Sequence, residues 1–231
     1  MNLRMFYRVS AIVLVAQVAL AVYGIWLVGP DQQVPVHWGV DGDPDGWATA
    51  LVGFAIVPLI TLGIVALFGL VPRIEPRRRN LERSANAYRT AAIAVVVFLG
   101  VAQAVVVVAS LGGTLPMTGL VGFGIGLLFV VMGNVLTTVR SNFLFGVRTP
   151  WTLSSDLAWD RTHRLVGRLF VLAGLTLVAL TLTGNVELVV AVMVAWIVVI
   201  LVVAFWYSYR VWKTDPDKRM FGPGRDENSA A

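Results

Sequence analysis

Long unbroken runs of apolar residues dominate the chain and alternate with shorter polar segments. Most runs are close to the 20 residues that cross about 30 Å of hydrocarbon at 1.5 Å per residue, and none alternates in polarity as a strand would. In lipid the backbone must satisfy its own hydrogen bonds. The pattern therefore predicts an all-α, polytopic membrane helix bundle of about six transmembrane helices. The runs cover residues 9–29, 51–71, 91–111, 120–136, 169–182 and 188–207.

Composition agrees with a membrane location, because 58% of the residues are hydrophobic and only 13% are charged, against about 25% charged in soluble domains. We interpret the first run as a retained helix because it is too long for a signal peptide and has no convincing cleavage site. The absence of cysteine excludes disulfides, thiolate catalysis and cysteine-ligated metals. The predicted location is the cell membrane.

Charge predicts the orientation. All 18 Lys and Arg residues lie before the first run, between the second and third, between the fourth and fifth, or after the sixth. Basic residues near helix ends are retained in the cytoplasm, so both termini are predicted to be inside. The basic clusters are interpreted as topogenic and lipid-contacting rather than as a nucleic-acid surface, since they lack aromatic platforms.

Three regions follow from this topology. Residues 1–89 form an N-terminal transmembrane hairpin with an acidic external loop, and residues 90–210 form a four-helix membrane region. The latter contains a cytoplasmic signature loop at residues 139–168. Residues 211–231 are predicted to be a polar cytoplasmic tail.

The outer loop, residues 30–50, is rich in Asp, Gly and Pro. Residues 34–38 are predicted to be extended, and the polar and aromatic candidates of this loop are His37, Trp38, Asp41, Asp43 and Asp45. Residues 41–46 match the first half of a calcium loop, but Val52 stands where its Glu belongs. A divalent cation on Asp41, Asp43 and Asp45 is one interpretation. Asx-turns that cap the second helix are the alternative, and no other cofactor is expected.

The inner polar segment contains a second set of candidates. Pro150 is expected to stop any helix, and Ser154 or Ser155 is expected to cap a new one that begins near Asp156, with an Asp160–Arg164 pair. One interpretation of this helix is a site for an anion, a metal or a peptide terminus at His163, flanked by Asp160 and with Arg148 and Asn142 brought back by the loop. The other is a membrane-surface helix with a solvated polar side and Trp159 as its depth anchor. The candidates are Asn134, Asn142, Arg148, Thr149, Pro150, Trp151, Trp159, Asp160 and His163.

The apolar runs contain no ionisable residue near their centres, which argues against coupled transport. Their polar residues, which are Gln17, Thr61, Gln103, Asn134, Thr137 and Thr181, are interpreted as interhelical hydrogen-bonding groups. Gly122 and Gly126, extended by Gly119 and Gly133, predict close packing of the fourth helix. The partner is a helix of this chain or a second copy, so a homo-oligomer through the Gly122/Gly126 face stays open.

Two motifs resemble the SdpI family. Residues 34–38 (Val-Pro-Val-His-Trp) with residues 42–45 (Gly-Asp-Pro-Asp) are similar to the N-terminal module of unknown function in that family. That module has a Lys a few residues on, where this chain has Thr49 and Ala50. Gly133-Asn134, Asn142, residues 146–153 (Gly-Val-Arg-Thr-Pro-Trp-Thr-Leu), Trp159 and Thr162-His163 are similar to the family core.

The resemblance implies an immunity or signal-receptor protein of the bacterial membrane. Its partners would be the bilayer, a secreted toxic peptide at the outer loop and a cytoplasmic repressor at the signature loop, with no direct nucleic-acid contact. Two alternatives stay open. One is a membrane-embedded enzyme that uses His163, Asp160 and Arg148, although no catalytic motif is present. The other is a small uncoupled transporter.

Overall fold

The computed structural model describes residues 1–112 and 117–218. Long helices dominate these residues, with one small β-hairpin. The elements are α1 (Arg4–Val28), β1 (Gln33–Trp38), β2 (Pro44–Thr49), α2 (Ala50–Ile74), α3 (Arg78–Arg83), α4 (Ala85–Ser110), α5 (Met117–Leu136), α6 (Pro150–Ser154), α7 (Asp156–Thr181) and α8 (Val186–Thr214).

Six of these helices are long and apolar enough to cross a membrane, namely α1, α2, α4, α5, α7 and α8. The predicted all-α membrane bundle is confirmed, and the chain is a multi-pass protein of the cell membrane. Each span packs against the next one along the sequence. The first three spans, α1, α2 and α4, contact one another, and α4 contacts α5, α5 contacts α7 and α7 contacts α8. The cytoplasmic placement of both termini stays a prediction from charge.

The two polar regions lie at opposite ends of this bundle. The β1–β2 hairpin contacts α2 and α4 near the outer loop, whereas Glu75, at the other end of α2, bonds to the signature loop at Phe143. We call the end with the hairpin the outer end and the end with the signature loop the inner end, following the orientation predicted from charge.

α7 begins well before the apolar run at residues 169–182. The Ser155 hydroxyl accepts the Ala158 N–H at 2.8 Å, and this N-cap starts the helix at Asp156. The predicted cap and start are confirmed. The helix then runs without a break to Thr181, so the polar segment and the fifth span form one element.

The tightest helix contact joins α5 to α7. A Cβ on Gly167 would lie 2.6 Å from the Gly133 carbonyl oxygen, and one on Gly126 would lie 2.9 Å from the Gly174 carbonyl oxygen. Small residues allow this approach of backbones, as in other membrane helix pairs. The predicted close packing of α5 is confirmed, but its partner is α7 of the same chain. The Gly122/Gly126 face is therefore covered, which corrects the homo-oligomer hypothesis.

Three of the six intramembrane polar residues take part in hydrogen bonds between different helices. Gln17 on α1 donates to the Thr61 hydroxyl on α2 at 3.0 Å, and Gln103 on α4 donates to the Phe54 carbonyl at 3.2 Å. Asn134, Thr137 and Thr181 instead bond to carbonyls of their own helix, three or four residues back, so the interhelical interpretation is wrong for them.

The last helix extends past the predicted start of the tail. α8 is capped by Asn185, whose side chain accepts the Leu188 N–H, and it ends at Thr214. Residues 211–214 are therefore helical rather than tail. Residues 219–231 of the predicted tail lie outside the described residues.

Replacing Gly167 with Ala is expected to destabilise the bundle by about 1–3 kcal/mol, as overpacking of a tight contact does. The added methyl group would push α5 and α7 apart. Denaturation of the purified protein with SDS, followed by circular dichroism, measures the loss.

Gly63→Ala is the matched control, because a Cβ on Gly63 meets no atom within 4 Å. It is expected to leave stability unchanged or slightly raised, since Ala favours helix over Gly. Equal stability of the two variants would contradict close packing of α5 on α7.

Candidate functional site

The outer loop folds as an antiparallel hairpin in which Pro35 faces Trp47 and His37 faces Gly46. The predicted extended piece is confirmed as β1, but β2 was not predicted. At the tip, the Asp41 carboxylate accepts the Asp43 N–H at 3.1 Å, which forms an Asx-turn. This turn closes the hairpin and does not cap α2, whose N-cap residue Thr49 makes no side-chain cap bond.

The hairpin pairs its histidine with one of its acids. His37 Nδ1 lies 2.5 Å from Asp45 Oδ1, and both side chains are exposed. Residues 44–46, the second half of the calcium-like segment, belong to β2. Within residues 1–112 and 117–218, no group of three or more His, Cys, Asp or Glu side chains is placed to hold a metal ion. The Asp41, Asp43 and Asp45 carboxylates thus do not converge as in a calcium loop.

An apolar cleft of about 370 Å³ lies beneath this hairpin. The hairpin contributes His37 and Trp38, and the outer parts of three helices contribute aliphatic side chains. Trp38 therefore faces the cleft, whereas Trp47 on β2 is exposed. From the helical part of this lining the sequence analysis singled out Gly122 alone, because the other members are ordinary aliphatic residues and a methionine. The helical residues are Ala102, Val105, Val106, Val121, Gly122, Ile125, Val186, Val189, Val190 and Met193.

At the inner end, Asn142 organises the signature loop. Its side chain is fully buried. The amide nitrogen donates to the carbonyls of Arg140 and Phe145, both at 2.9 Å. The amide oxygen accepts the N–H groups of Leu144 and Phe145. All four hydrogen-bonding positions of the amide are thus used to fix a tight loop.

Glu75, just after α2, holds the same loop from the other side. It is buried, and its two carboxylate oxygens each lie 3.1 Å from the Phe143 N–H. One of them also accepts the Arg77 N–H at 2.9 Å. Sequence reasoning missed this residue, although an acid among the arginines of residues 73–83 was a visible signal.

Arg77 joins the loop between α2 and α4 to the signature loop. Its guanidinium donates to the Ser141 hydroxyl and, at 2.9 Å, to the Leu153 carbonyl. The same group lies 4.5 Å above the Phe143 ring as a cation–π contact. Asn80 adds a bond to the Ser141 carbonyl. This part of the basic cluster therefore has a structural role beyond setting the topology.

His163 lies inside the loop rather than at its surface. It is 1% exposed, and its ring stacks on the buried Trp159 ring at 4.0 Å between centroids. Nε2 accepts the Val147 N–H and Nδ1 donates to the Trp159 carbonyl, both at 2.9 Å. The bonds require a neutral ring with its proton on Nδ1. Gly146, with φ of +110°, leaves the room that this contact needs.

Both interpretations of the His163 helix need correction. A solvated surface helix is wrong, because Trp159 is fully buried and donates to the Val139 carbonyl at 2.7 Å. An open His163 site is also not formed, because both ring nitrogens bond to backbone groups. Arg148 donates to the Phe143 carbonyl, and Arg164 bonds to the Asp160 carbonyl rather than to its carboxylate.

Pro150 begins a short helix instead of stopping one. It occupies the first position of α6, where its missing N–H has no cost, and Thr149 caps that helix in a capping box with Thr152. The Thr149 hydroxyl also donates to Ser208 on α8 at 3.0 Å. Trp151 packs edge-on against Phe205 of α8.

The other end of α6 is tied to α8 as well. The Ser155 hydroxyl donates to the carboxylate of Asp215, which is buried just after α8. The motif residues 149–155 therefore fasten the loop to the last span, and no motif in the sequence indicated Asp215 as their partner.

These features define a multi-pass helical membrane protein with a hydrogen-bonded inner loop and an outer hairpin above an apolar cleft. Residues 138–209 match the SdpI/YfhL protein family, and residues 12–62 match a domain of unknown function, DUF1648. The SdpI-family resemblance is confirmed. The first match contains the signature loop with α7 and most of α8, and the second contains the outer hairpin.

The chain is also similar to one curated protein over most of its length. It is 24% identical over 183 residues to Immunity protein SdpI of Bacillus subtilis (strain 168). The alignment covers 79% of this chain and 84% of that protein. No solved structure matches the chain significantly.

Asn142→Leu is expected to loosen the signature loop. The change keeps the side-chain size but leaves two N–H groups and two carbonyls of a part-buried loop without partners, each at a cost of up to about 1–3 kcal/mol. A lower melting temperature in detergent and faster amide hydrogen exchange at residues 140–148 are the expected results.

Asn134→Leu is the matched control, because this exposed side chain makes one local bond to the Val130 carbonyl. A change within about 0.5 kcal/mol is expected for it. If exchange at residues 140–148 were the same in both variants, Asn142 would not be the residue that fixes the loop.

Proposed function

We propose that this chain is an integral membrane immunity protein that protects the cell from a secreted toxic peptide. The similarity to Immunity protein SdpI over 84% of that protein supports the immunity role. The observation that carries the ligand side of the proposal is the apolar cleft beneath the outer hairpin, since a membrane-active peptide arrives from outside with apolar side chains exposed.

The cleft suits a peptide segment in size and chemistry. Its volume of about 370 Å³ falls in the range of ligand pockets, about 300–1,000 Å³, and its walls are mainly aliphatic. Trp38 adds a large flat surface with one polar atom, a type of residue that is enriched where proteins bind partners.

Charge adds a preference for cationic peptides. The outer loop contains Asp31, Asp41, Asp43 and Asp45, and no Lys or Arg lies in any of the outer segments of the sequence. Opposite charge raises the rate of encounter more than it raises affinity. The hairpin thus attracts a basic peptide, and the cleft holds its apolar side chains.

In this function the protein binds the toxic peptide and does not transport it across the membrane. The apolar runs of the sequence lack ionisable residues near their centres, and coupled transporters use such groups at depth. The enzyme alternative has little support, since both nitrogens of His163 are bonded to the backbone.

In this proposal the inner end of the protein recruits a cytoplasmic regulator in response to the peptide. A polar cleft of about 410 Å³ there is lined by Asn80, Arg83, Arg140, Ser141, Asp156 and Asp160. Mixed charge of this kind suits a protein surface, which presents both signs, more than a single small ion.

Expression of the chain in a sensitive bacterial host tests the proposal. Cells are challenged with graded concentrations of a panel of secreted membrane-active peptides, and growth is compared with cells that carry the empty vector. Raised tolerance to at least one peptide is expected. Equal sensitivity to every peptide, with the protein present in the membrane, would rule the function out.

Val190→Trp tests the cleft itself. Val190 lines it from α8, and an indole there would fill much of the space. Tolerance is expected to fall to the level of the empty vector while the amount of membrane-inserted protein stays the same.

Leu201→Trp serves as the matched control on the same helix, because Leu201 is 63% exposed on the lipid-facing surface. This variant is expected to keep full tolerance. If Val190→Trp protected cells as well as Leu201→Trp did, the peptide would not bind in this cleft.

A further inference from the structure

A second cleft of about 560 Å³ lies at the inner end, away from the signature loop. The first residues of α1, the last turn of α2 and α3 enclose it. Arg4, Arg73 and Arg78 line it from these three elements, with Tyr7 and Glu82 beside them. Three basic side chains from separate parts of the sequence thus face one space.

The charge of this cleft is not neutralised by the protein. Glu82 is its acidic side chain, and it is already paired, with Arg78 Nε at 3.1 Å. The Arg78 hydrogen bond, together with the charge of the chain's amino terminus, lowers the pKa of Glu82, so this carboxylate stays ionised. Among the described residues, no carboxylate lies within ion-pair distance of Arg4 or Arg73.

The surroundings place this basic cleft at the border of the hydrocarbon layer. Met5, Leu70 and Ile74 lie next to its lining residues along the chain and expose 59%, 46% and 53% of their surfaces. They belong to the membrane spans α1 and α2. Gly69 leaves room for the Tyr7 hydroxyl, because a Cβ there would lie 2.6 Å from the hydroxyl oxygen.

We propose that this cleft binds the phosphate group of an anionic phospholipid. Arg4 and Arg73 would hold the phosphate oxygens, because guanidinium groups match phosphate geometry with paired N–H donors. The Tyr7 hydroxyl supplies a further donor. The acyl chains then lie along Met5, Leu70 and Ile74.

A lipid fits this cleft better than a free anion does. A free phosphate ion would satisfy the arginines but would leave the neighbouring aliphatic surface without a partner. An anionic phospholipid contacts both the arginines and the aliphatic surface. Its phosphate lies at the level of the arginines, and its acyl chains enter the bilayer. The inference does not depend on the proposed immunity function.

Lipid retention by the purified full-length protein tests this site. The protein in mild detergent is mixed with phosphatidylglycerol or with phosphatidylcholine, and bound lipid is counted by native mass spectrometry. Arg4→Gln/Arg73→Gln is expected to lower phosphatidylglycerol affinity about 25-fold, since each basic residue near an anionic lipid surface contributes about fivefold. Binding of phosphatidylcholine is expected to be weak in both proteins.

Arg161→Gln/Arg168→Gln is the matched control, because it removes the same charge from exposed positions of α7 at the same end of the bundle. It is expected to retain phosphatidylglycerol like the unaltered chain. Equal retention by the two double variants would overturn the proposal, because binding would then follow net charge alone. Displacement of the lipid by millimolar inorganic phosphate would overturn it too, by assigning the cleft to a free anion.

Discussion

The hydrocarbon layer removes water as a hydrogen-bonding partner, and this constraint explains most of the molecule. The six spans satisfy it with helical backbone bonds. The signature loop lies at the end of this bundle and satisfies it with side chains. Asn142 bonds to four backbone groups, and Glu75 accepts the Phe143 N–H. The polar residues of the loop therefore serve first to allow a compact, non-helical connection beside the membrane.

The two ends of the bundle consequently differ in how they are held together. At the inner end, hydrogen bonds join the signature loop to α2 through Glu75 and to α8 through Ser155 and Asp215. At the outer end, the hairpin is small, its His37–Asp45 pair is exposed, and an apolar space lies beneath it. This contrast is the reason to place ligand capture outside and to assign the inner end to architecture and response.

The sequence predicted the spans well because length and hydropathy alone decide whether a helix crosses a membrane. It also predicted the Ser155 cap and the α5 glycine contact, since both depend on local patterns. The roles of His163 and Trp159 were not predictable in the same way. Their polar atoms suggested that these side chains face solvent. In the fold, Gly146 and Val147, from a distant part of the loop, pack over them, and the Val147 N–H bonds to His163. Glu75, Asp215 and the lining of the outer cleft depend on contacts between remote segments, which periodicity does not encode.

Opposite placement of the hairpin and the signature loop across the membrane is the central claim, and a labelling experiment tests it directly. The chain has no cysteine, so Asp43→Cys and Arg161→Cys each introduce one unique thiol. On intact cells, a membrane-impermeant maleimide should label the thiol at position 43, and it should label the thiol at position 161 only after permeabilisation. Labelling of position 161 on intact cells, or protection of position 43, would contradict the account.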